Sequence, residues 1–447
     1  MNNIYSFLKS AWEEILDESK KNSTFIPFLL LLITFPISMA VNNISTAIFV
    51  LSAFLSLNKS KLKIGFVFIV PMSLFIWMLL SYFWSYEPDD TLKAIFKEIT
   101  LILIPLAFVI KKPFSSEQKN LIFKYYSFAM VGYVIYFLIR AGVRYILTKD
   151  VSVFFYHGPE NDVDTGLVPR LLNAIHVSVY VVLSFFYFFC KESKTTIEKI
   201  LLGLLFVFVL LLSSKNIIIV FIVLIFLHTF YSSKIANKLR LRNATIVLVL
   251  LGVILSFSKI KERFLIEFTS NTNSSLTNNS NTSSSVNNIS IYQAWNQEKF
   301  THNDYFPGTA FRVYQVRVFK ELIMEYPIFW KGFGMNASQE KIQEKEKEHN
   351  LYPGYGSYNF HNQYVQNFAD LGIVGLFFLI LMLFLNIKKA FSNKDFIHIT
   401  FAILMISLFL TESFLWRQRG VCFFIMFYCF FMNNNEQKKQ LVKDFHF

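Results

Sequence analysis

The sequence predicts an all-α polytopic membrane protein with about twelve transmembrane helices. Its residues are 54% hydrophobic and 18% aromatic, and only 16% are charged, a composition foreign to soluble proteins of this length. Apolar runs long enough to cross a bilayer recur along the chain. Lys and Arg collect in the short connections between these runs. The net charge of +13 therefore indicates topology signals rather than a nucleic-acid-binding surface.

The apolar runs divide the chain into four parts. We expect membrane helices 1–9 within residues 1–258, a large loop over 259–361, helices 10–12 within 362–432 and a tail over 433–447. The predicted spans lie near 25–41, 43–57, 64–84, 97–111, 122–148, 171–190, 197–212, 216–232, 244–258, 362–387, 396–412 and 417–432. The N-terminal segment does not resemble a cleavable signal peptide, so the first run is expected to stay in the membrane.

The distribution of Lys and Arg predicts the orientation of these helices. Six basic clusters occupy alternate connections, at 59–63, 111–119, 191–199, 234–242, 388–394 and 438–443. With twelve helices all six fall on one side, which the positive-inside rule assigns to the cytoplasm. Both termini are therefore predicted to be cytoplasmic, and the 259–361 loop is predicted to face the opposite side.

The 259–361 loop is too long for a simple connector and is expected to be functional. Residues 269–290 form a low-complexity run of Ser, Asn and Thr with little to bury, which predicts disorder. Residues 308–327 have the apolar spacing of an amphipathic helix. Residues 337–349 predict a highly charged helix exposed to solvent.

His361 lies where the polar loop ends and an apolar helix begins. The positive end of a helix dipole disfavours a charged imidazole. A neutral imidazole near pH 7 is suited to act as a general base, so His361 is a candidate catalytic residue. The alternative is an interfacial histidine that only anchors the helix among lipid headgroups.

Cationic side chains near the outer membrane edge are few, and charges placed there usually have a partner or a task. The planar guanidinium group suits phosphate, because its donors match two oxygens at once. These side chains therefore predict a site for a lipid-linked diphosphate. The candidates are Arg170, Lys215, Arg312, Arg317, Arg417 and Arg419.

Ion pairs compete with this interpretation for some of the candidates. Arg417 and Arg419 are close enough in sequence to pair with Glu412, and Arg317 is four residues from Glu321. Arg312 has no acidic residue three or four positions away. It is therefore the strongest cationic candidate.

Metal and nucleotide chemistry have weaker support in the sequence. Asp89 and Asp90 lie where a helix N-cap belongs, just before residues 91–95, so capping explains them without a metal ion. No P-loop, dinucleotide-binding glycine pattern or Ser/His/Asp order is present. We therefore expect no metal and no cofactor.

Several stretches together carry a family resemblance. They read LLLSSK at 210–215, FRVYQVR at 311–317, YPIFWKGFG at 326–334, HNQY at 361–364, DLGIVG at 370–375 and TESFLWRQRG at 411–420. In this order, with twelve predicted spans and one large outer loop, the chain resembles the O-antigen ligase and polymerase superfamily of bacterial envelope glycosyltransferases, and an O-antigen ligase fits best. Two features depart from the family: Lys215 stands where members often have Arg, and the 269–290 insert is unusual.

The resemblance implies a multi-pass protein of the bacterial inner membrane whose active site faces the periplasm. It implies a glycan donor carried on undecaprenyl diphosphate and, for a ligase, a sugar hydroxyl of the lipid A core as acceptor. Arg312 and His361 look like the functional pair of the family. Guanidinium groups would stabilise the departing diphosphate, and His361 would accept the proton of the attacking hydroxyl. This chemistry needs no metal and would invert the anomeric carbon.

Two alternatives remain open at this point. A polymerase or a protein O-oligosaccharyltransferase of the same superfamily would use the same donor with another acceptor. A flippase of lipid-linked sugars would also suit twelve spans, but transporters carry charges at mid-membrane and often contain repeats, and the sequence shows neither repeats nor a series of mid-span charges.

Overall fold

The computed structural model describes residues 2–57, 64–155, 166–212, 214–232 and 286–433, together with residues 241, 245 and 252. Within these residues the fold is almost entirely helical, as the sequence predicts, with one parallel pair of two-residue strands, Asn287–Asn288 and Asp304–Tyr305. The α-helices are α1 (Asn2–Lys21), α2 (Phe25–Ile33), α3 (Met39–Leu55), α4 (Phe66–Ser81), α5 (Pro88–Lys97), α6 (Thr100–Ile110), α7 (Ser116–Thr148), α8 (Ala174–Phe189), α9 (Thr196–Leu211), α10 (Lys215–Leu227), α11 (Ile291–Asn296), α12 (Gly308–Glu325), α13 (Ser338–Glu348), α14 (Gln363–Asn393), α15 (Phe396–Phe409) and α16 (Gln418–Met432).

Three helical segments of the described chain are long and apolar enough to cross a membrane: Phe66–Trp84, Ser116–Thr148 and Gln363–Asn393. Shorter apolar helices accompany them at Met39–Leu55, Ala174–Phe189, Lys215–Tyr231, Phe396–Phe409 and Gln418–Met432. The count of twelve spans and the orientation of the chain stay predictions. The predicted span at 244–258, the basic clusters at 59–63, 234–242 and 438–443, and most of the 269–290 run lie outside the described residues.

The last helix, α16, lies at the centre of the membrane part. Its residues from Arg419 to Met432 are all buried, as expected for a helix that is apolar on every side. Rings from α16 pack against rings of α2, α7 and α15, including Phe28 against Phe430 and Phe401 against Phe427. The high Phe content of the chain thus supplies a continuous aromatic core.

The described part of the large loop has a second hydrophobic core of its own. The amphipathic helix predicted over 308–327 runs from Gly308 to Glu325, and the charged helix predicted over 337–349 runs from Ser338 to Glu348. Tyr314 and Val318 of α12 are buried in this core, which also takes in Phe360 and Ala369. Phe360 lies just before α14 and Ala369 lies in its second turn. The hydrophobic core of the loop therefore extends to the start of α14, beside His361.

A kink in α14 docks the loop onto the membrane part. Gly372 has a φ of +67°, so the helical hydrogen bonds are interrupted there. The freed groups are satisfied by the irregular loop segment 329–334. Phe333 N donates to Ala369 O and Gly334 N to Asp370 O, each at 2.9 Å, and Ile373 N donates to Phe329 O at 2.8 Å. The two family-like stretches at 326–334 and 370–375 are therefore in direct backbone contact.

One local prediction needs correction. Helix α5 begins at Pro88, with Glu87 at the N-cap, so Asp89 and Asp90 lie in the first turn rather than at the cap. Pro88 allows the helix to begin before Asp89, because its fixed φ suits the first helical position and it has no N–H to leave unpaired. Carboxylates in the first turn still interact favourably with the helix dipole.

Candidate functional site

Arg312 extends from the loop helix α12 to the turn that precedes α16. Its Nε donates to the backbone carbonyl of Thr411 at 2.8 Å, and its Nη1 donates to the carbonyl of Gly308 at 2.9 Å. The side chain is partly buried. Among the described residues these two bonds leave Nη2 of the guanidinium group for another partner, and they fix the plane of the group.

The backbone around His361 is held by two asparagines. His361 is in the left-handed region with a φ of +48°, and its N–H donates to Asn359 Oδ1 at 3.0 Å. Asn362 caps α14 by accepting hydrogen bonds from the N–H groups of Tyr364 and Val365. The imidazole therefore lies one residue before the cap rather than inside the helix, packed against the rings of Phe311 and Tyr358.

The turn at 411–413 brings Arg312 and His361 to one place. Glu412 Oε2 lies 3.5 Å from His361 Nδ1, and Ser413 Oγ accepts the N–H of Asn362 at 3.2 Å. Since Arg312 donates to the neighbouring Thr411 carbonyl, residues 411–413 contact both Arg312 and the segment that carries His361. The turn lies about a hundred residues after Arg312 in the sequence.

Glu412 follows the end of α15 and carries a negative charge into this cluster. Burial acts to raise the pKa of its carboxyl, but the contact with His361 and the positive charges of Arg312 and Arg417 outweigh burial and lower it. Pairing with Arg417 or Arg419 was one of the alternatives that the sequence left open for Glu412. Arg419 Nη1 donates to the Leu172 carbonyl at 3.4 Å.

A cavity of about 190 Å³ is lined in part by Arg417 and Arg419, which follow the same turn in the chain. Arg419 is 4% exposed, and its Nε and Nη2 have no hydrogen-bond partner within the described chain. His176 is 1% exposed, its ring is stacked on Phe414 at 4.2 Å, and both of its nitrogens are likewise unpartnered there. The lining residues are Met39, Leu171, Leu172, Asn173, His176, Arg417 and Arg419.

Unpaired buried donors are costly, so a cavity that collects them favours an anionic ligand. Arg417 is exposed at the edge of this cavity and also acts electrostatically on Glu412. It therefore links the cavity with the Arg312–His361 cluster. Arg170 is exposed in a short 3-10 turn, Arg170–Leu172, whose other two residues line the cavity.

The remaining two cationic candidates differ in their surroundings. Lys215 opens α10, and the next residue, Asn216, donates to Thr411 Oγ1 at 2.7 Å, which ties the start of α10 to the 411–413 turn. Arg317 belongs to a separate network, where it donates to Glu321 at 2.8 Å and to the Gln297 carbonyl. The ion pair predicted between Arg317 and Glu321 is therefore present, but it is not at the surface, since the two side chains are only 11% and 23% exposed.

Two residues of the site did not emerge as candidates from the sequence. His176 had a signal, since it is an ionisable residue inside the otherwise apolar 171–190 run and such residues are functional candidates. Glu412 was considered only as a partner for arginine. Its contact with His361 joins residues 51 positions apart, which no local pattern indicates.

The fold and the site define an all-α membrane protein in which a folded loop presents a histidine and an arginine beside a cationic cavity. Residues 179–380 match the family model described as O-antigen ligase. This match, which covers less than half of the chain, supports the resemblance to that superfamily and points to a glycosyltransferase-type enzyme. The match includes Lys215, Arg312 and His361, whereas the 411–419 segment lies beyond it. No curated protein matches the chain.

Proposed function

We propose that this protein is an O-antigen ligase, which transfers a glycan from undecaprenyl diphosphate to a sugar hydroxyl of the lipid A core. The observation that carries the proposal is the convergence of Arg312 and His361 on the 411–413 turn, next to a cavity with unpaired guanidinium donors. The family match to residues 179–380 supports the reaction class.

The reaction requires an acceptor hydroxyl, a departing diphosphate and a base. The hydroxyl oxygen attacks the anomeric carbon as the bond from that carbon to the diphosphate oxygen breaks, and attack from the opposite side inverts the configuration. His361 accepts the hydroxyl proton. Arg312 stabilises the negative charge that develops on the diphosphate. Fixed guanidinium groups can supply the positive charge that a divalent ion provides in other phosphate sites, so the proposed mechanism is independent of metal and cofactor.

The cavity beside the turn suits the diphosphate of the carrier lipid. Arg419 and His176 line it and carry buried nitrogens without hydrogen-bond partners within the described residues, and Arg417 adds positive charge to its lining. Arg170 is exposed in the turn that also holds Leu171 and Leu172 of the lining. Lys215 approaches from α10. Arg317 stays a weaker candidate, because Glu321 already pairs with it.

The proposal places the protein in the bacterial inner membrane, with both termini in the cytoplasm and the loop core in the periplasm. Lipid-linked glycans would then reach the cavity from the outer leaflet. A topology map that used reporters after residue 348 and after residue 447 tests this arrangement. Reporter signal from the cytoplasm at residue 348 would contradict it.

A lipopolysaccharide profile of a deletion strain tests the function. Complementation with the unaltered gene should restore capped lipopolysaccharide, whereas H361A and R312A proteins should reach the membrane and leave free lipid A core. Capped lipopolysaccharide at the normal level from either variant would remove that residue from the mechanism.

The same strain separates the alternatives. Bare core with accumulated lipid-linked polymer indicates a ligase, core with a single repeat unit indicates a polymerase, and loss of glycan from a secreted protein indicates a protein O-oligosaccharyltransferase. Glycan transfer by the purified protein without a membrane gradient argues against transport. Failure of transfer in every such assay would favour a flippase.

A further inference from the structure

We infer that Glu412 is a positioning residue for His361: it holds the Nδ1 side of the imidazole so that Nε2 faces the acceptor hydroxyl. This inference rests on the proposed function, since it concerns how the proposed base is oriented. The family match ends at residue 380, and the sequence indicates Glu412 only as an ion-pair partner for Arg417 or Arg419.

The contact geometry supports a directed interaction. Nδ1 is buried and forms no hydrogen bond in the described part of the protein, and Glu412 Oε2 lies 3.5 Å from it. A small shortening of this contact lets the carboxylate accept a hydrogen bond from a proton on Nδ1. Contacts of this kind are often long in a ligand-free site and tighten when the substrate is bound.

The electrostatic environment keeps Glu412 available for this task. The carboxyl is 7% exposed, and burial alone would favour its neutral form. The contact with His361 and the charges of Arg312 and Arg417 lower its pKa instead, so the side chain is ionised near neutral pH. An ionised carboxylate beside Nδ1 selects the tautomer with the proton on Nδ1 and leaves the Nε2 lone pair free.

The proton balance shows what Glu412 contributes. When the acceptor oxygen bonds to the anomeric carbon and the diphosphate departs, the hydroxyl proton moves to Nε2. The imidazole then carries protons on both nitrogens and a positive charge, which the Glu412 carboxylate stabilises. The carboxylate itself takes up no proton, so it acts through His361 and not on the substrate.

The backbone connects this role with Arg312. Glu412 lies between Thr411, whose carbonyl accepts from Arg312 Nε, and Ser413, whose hydroxyl accepts from Asn362 N–H. The same turn therefore sets the orientation of both the base and the guanidinium group. A shift of this turn moves both groups together relative to the bound diphosphate.

The test uses purified full-length protein, an undecaprenyl-diphosphate-linked glycan and lipid A core. We expect E412Q to lower kcat by roughly 10- to 100-fold, less than the 10²–10⁴-fold that loss of a general base costs, with little change in KM for the donor. E412D, which restores the charge on a shorter side chain, should recover part of the loss. On the H361A background E412Q should have no further effect, because residues that act as a unit are not additive.

E321Q is the matched control. Glu321 lies 3.3 Å from His349 Nε2 in the same loop core, so this variant also removes a carboxylate from a histidine, but away from the 411–413 turn. It should leave kcat unchanged. Thermal unfolding of every variant identifies those that merely fail to fold.

The outcomes separate the inference from the proposed function. If H361A abolishes transfer while folded E412Q keeps the unaltered kcat, or if E412Q lowers kcat as much without His361 as with it, the positioning role is overturned and the proposed function stands. If folded H361A transfers glycan normally, the assignment of the base has failed and the positioning role falls with it.

Discussion

At the scale of single residues, the site contains guanidinium groups whose donors are only partly used by the described residues. Arg312 uses Nε and Nη1 for backbone carbonyls, and Arg419 bonds only one carbonyl within the described chain. A guanidinium group that is fixed in place and keeps unused donors is suited to bind an anion. This state costs stability in the absence of ligand, as is common at functional sites.

Arg312 should be sensitive even to a charge-conserving change. R312K keeps the positive charge but loses the planar fork that bonds Thr411 and, in the proposed mechanism, would also bind the diphosphate. We expect R312A to reduce kcat by about 10²–10³-fold, as for loss of one donor that stabilises a developing charge, and R312K to recover little of this. Initial rates of glycan transfer measure both, and full activity of R312K would show that charge alone suffices.

Replacing Arg419 should raise the stability of the ligand-free protein and weaken its binding of the donor. In R419M an unbranched apolar side chain replaces a buried guanidinium group whose Nε and Nη2 lack partners within the described residues. Each buried unpaired donor costs roughly 1–3 kcal/mol, so the ligand-free variant should have a higher Tm than the unaltered protein. Its KM for the lipid-linked donor should rise.

Differential scanning fluorimetry and donor titration measure the two effects. A lower Tm together with an unchanged KM would mean that Arg419 has a structural partner and no part in binding.

At the scale of elements, the glycines at 332 and 372 determine how the loop meets the membrane helices. Both have positive φ, and each faces the backbone of the other segment: a Cβ on Gly332 would lie 2.3 Å from the Asp370 carbonyl carbon, and a Cβ on Gly372 would lie 2.3 Å from the Trp330 carbonyl carbon. Trp77 Nε1 donates to the Leu371 carbonyl at 2.9 Å and so satisfies another group at the kink.

G372A should therefore separate the loop from α14. The left-handed backbone alone costs about 1–3 kcal/mol with a side chain, and the contact with Trp330 adds to this. We expect reduced yield and a lower Tm. G203A in α9 is the control, because its Cβ meets nothing within 4 Å; equal effects of the two substitutions would disprove the docking role of Gly372.

The ion network of the loop core predicts a pH dependence of stability. Burial acts to raise the pKa of Glu321, but its contacts with His349 and Arg317 outweigh burial and lower the pKa to about 2. A carboxyl with a depressed folded pKa contributes stability above its unfolded pKa, near 4.5, and loses it as the pH falls toward the folded value.

E321Q isolates this contribution. At pH 7 the variant should have a lower Tm than the unaltered protein, and the difference should shrink as the pH falls from about 4.5 toward 2. Thermal unfolding over this range measures the difference. A Tm difference that is independent of pH would mean that packing, not charge, explains the effect of the substitution.

At the scale of the whole molecule, the sequence predicted what depends on local pattern. The 3.6-residue period of 308–327 predicted α12, and the apolar composition predicted an all-α membrane protein. The kink at Gly372 was not predictable in the same way, because helical periodicity continues through it. The 411–413 turn was missed as the meeting point because it joins Arg312 and His361 through tertiary contacts that only packing determines.

The central claim is that Arg312 and His361 act at one site in the transfer of a lipid-linked glycan. Its most direct test is the rate at which purified protein transfers glycan from undecaprenyl diphosphate to lipid A core, compared among the unaltered protein, R312A, H361A and the double variant. Each single variant should lose most of the transfer rate, and the rate of the double variant should be close to that of the less active single variant. Normal transfer by either folded single variant would contradict the claim.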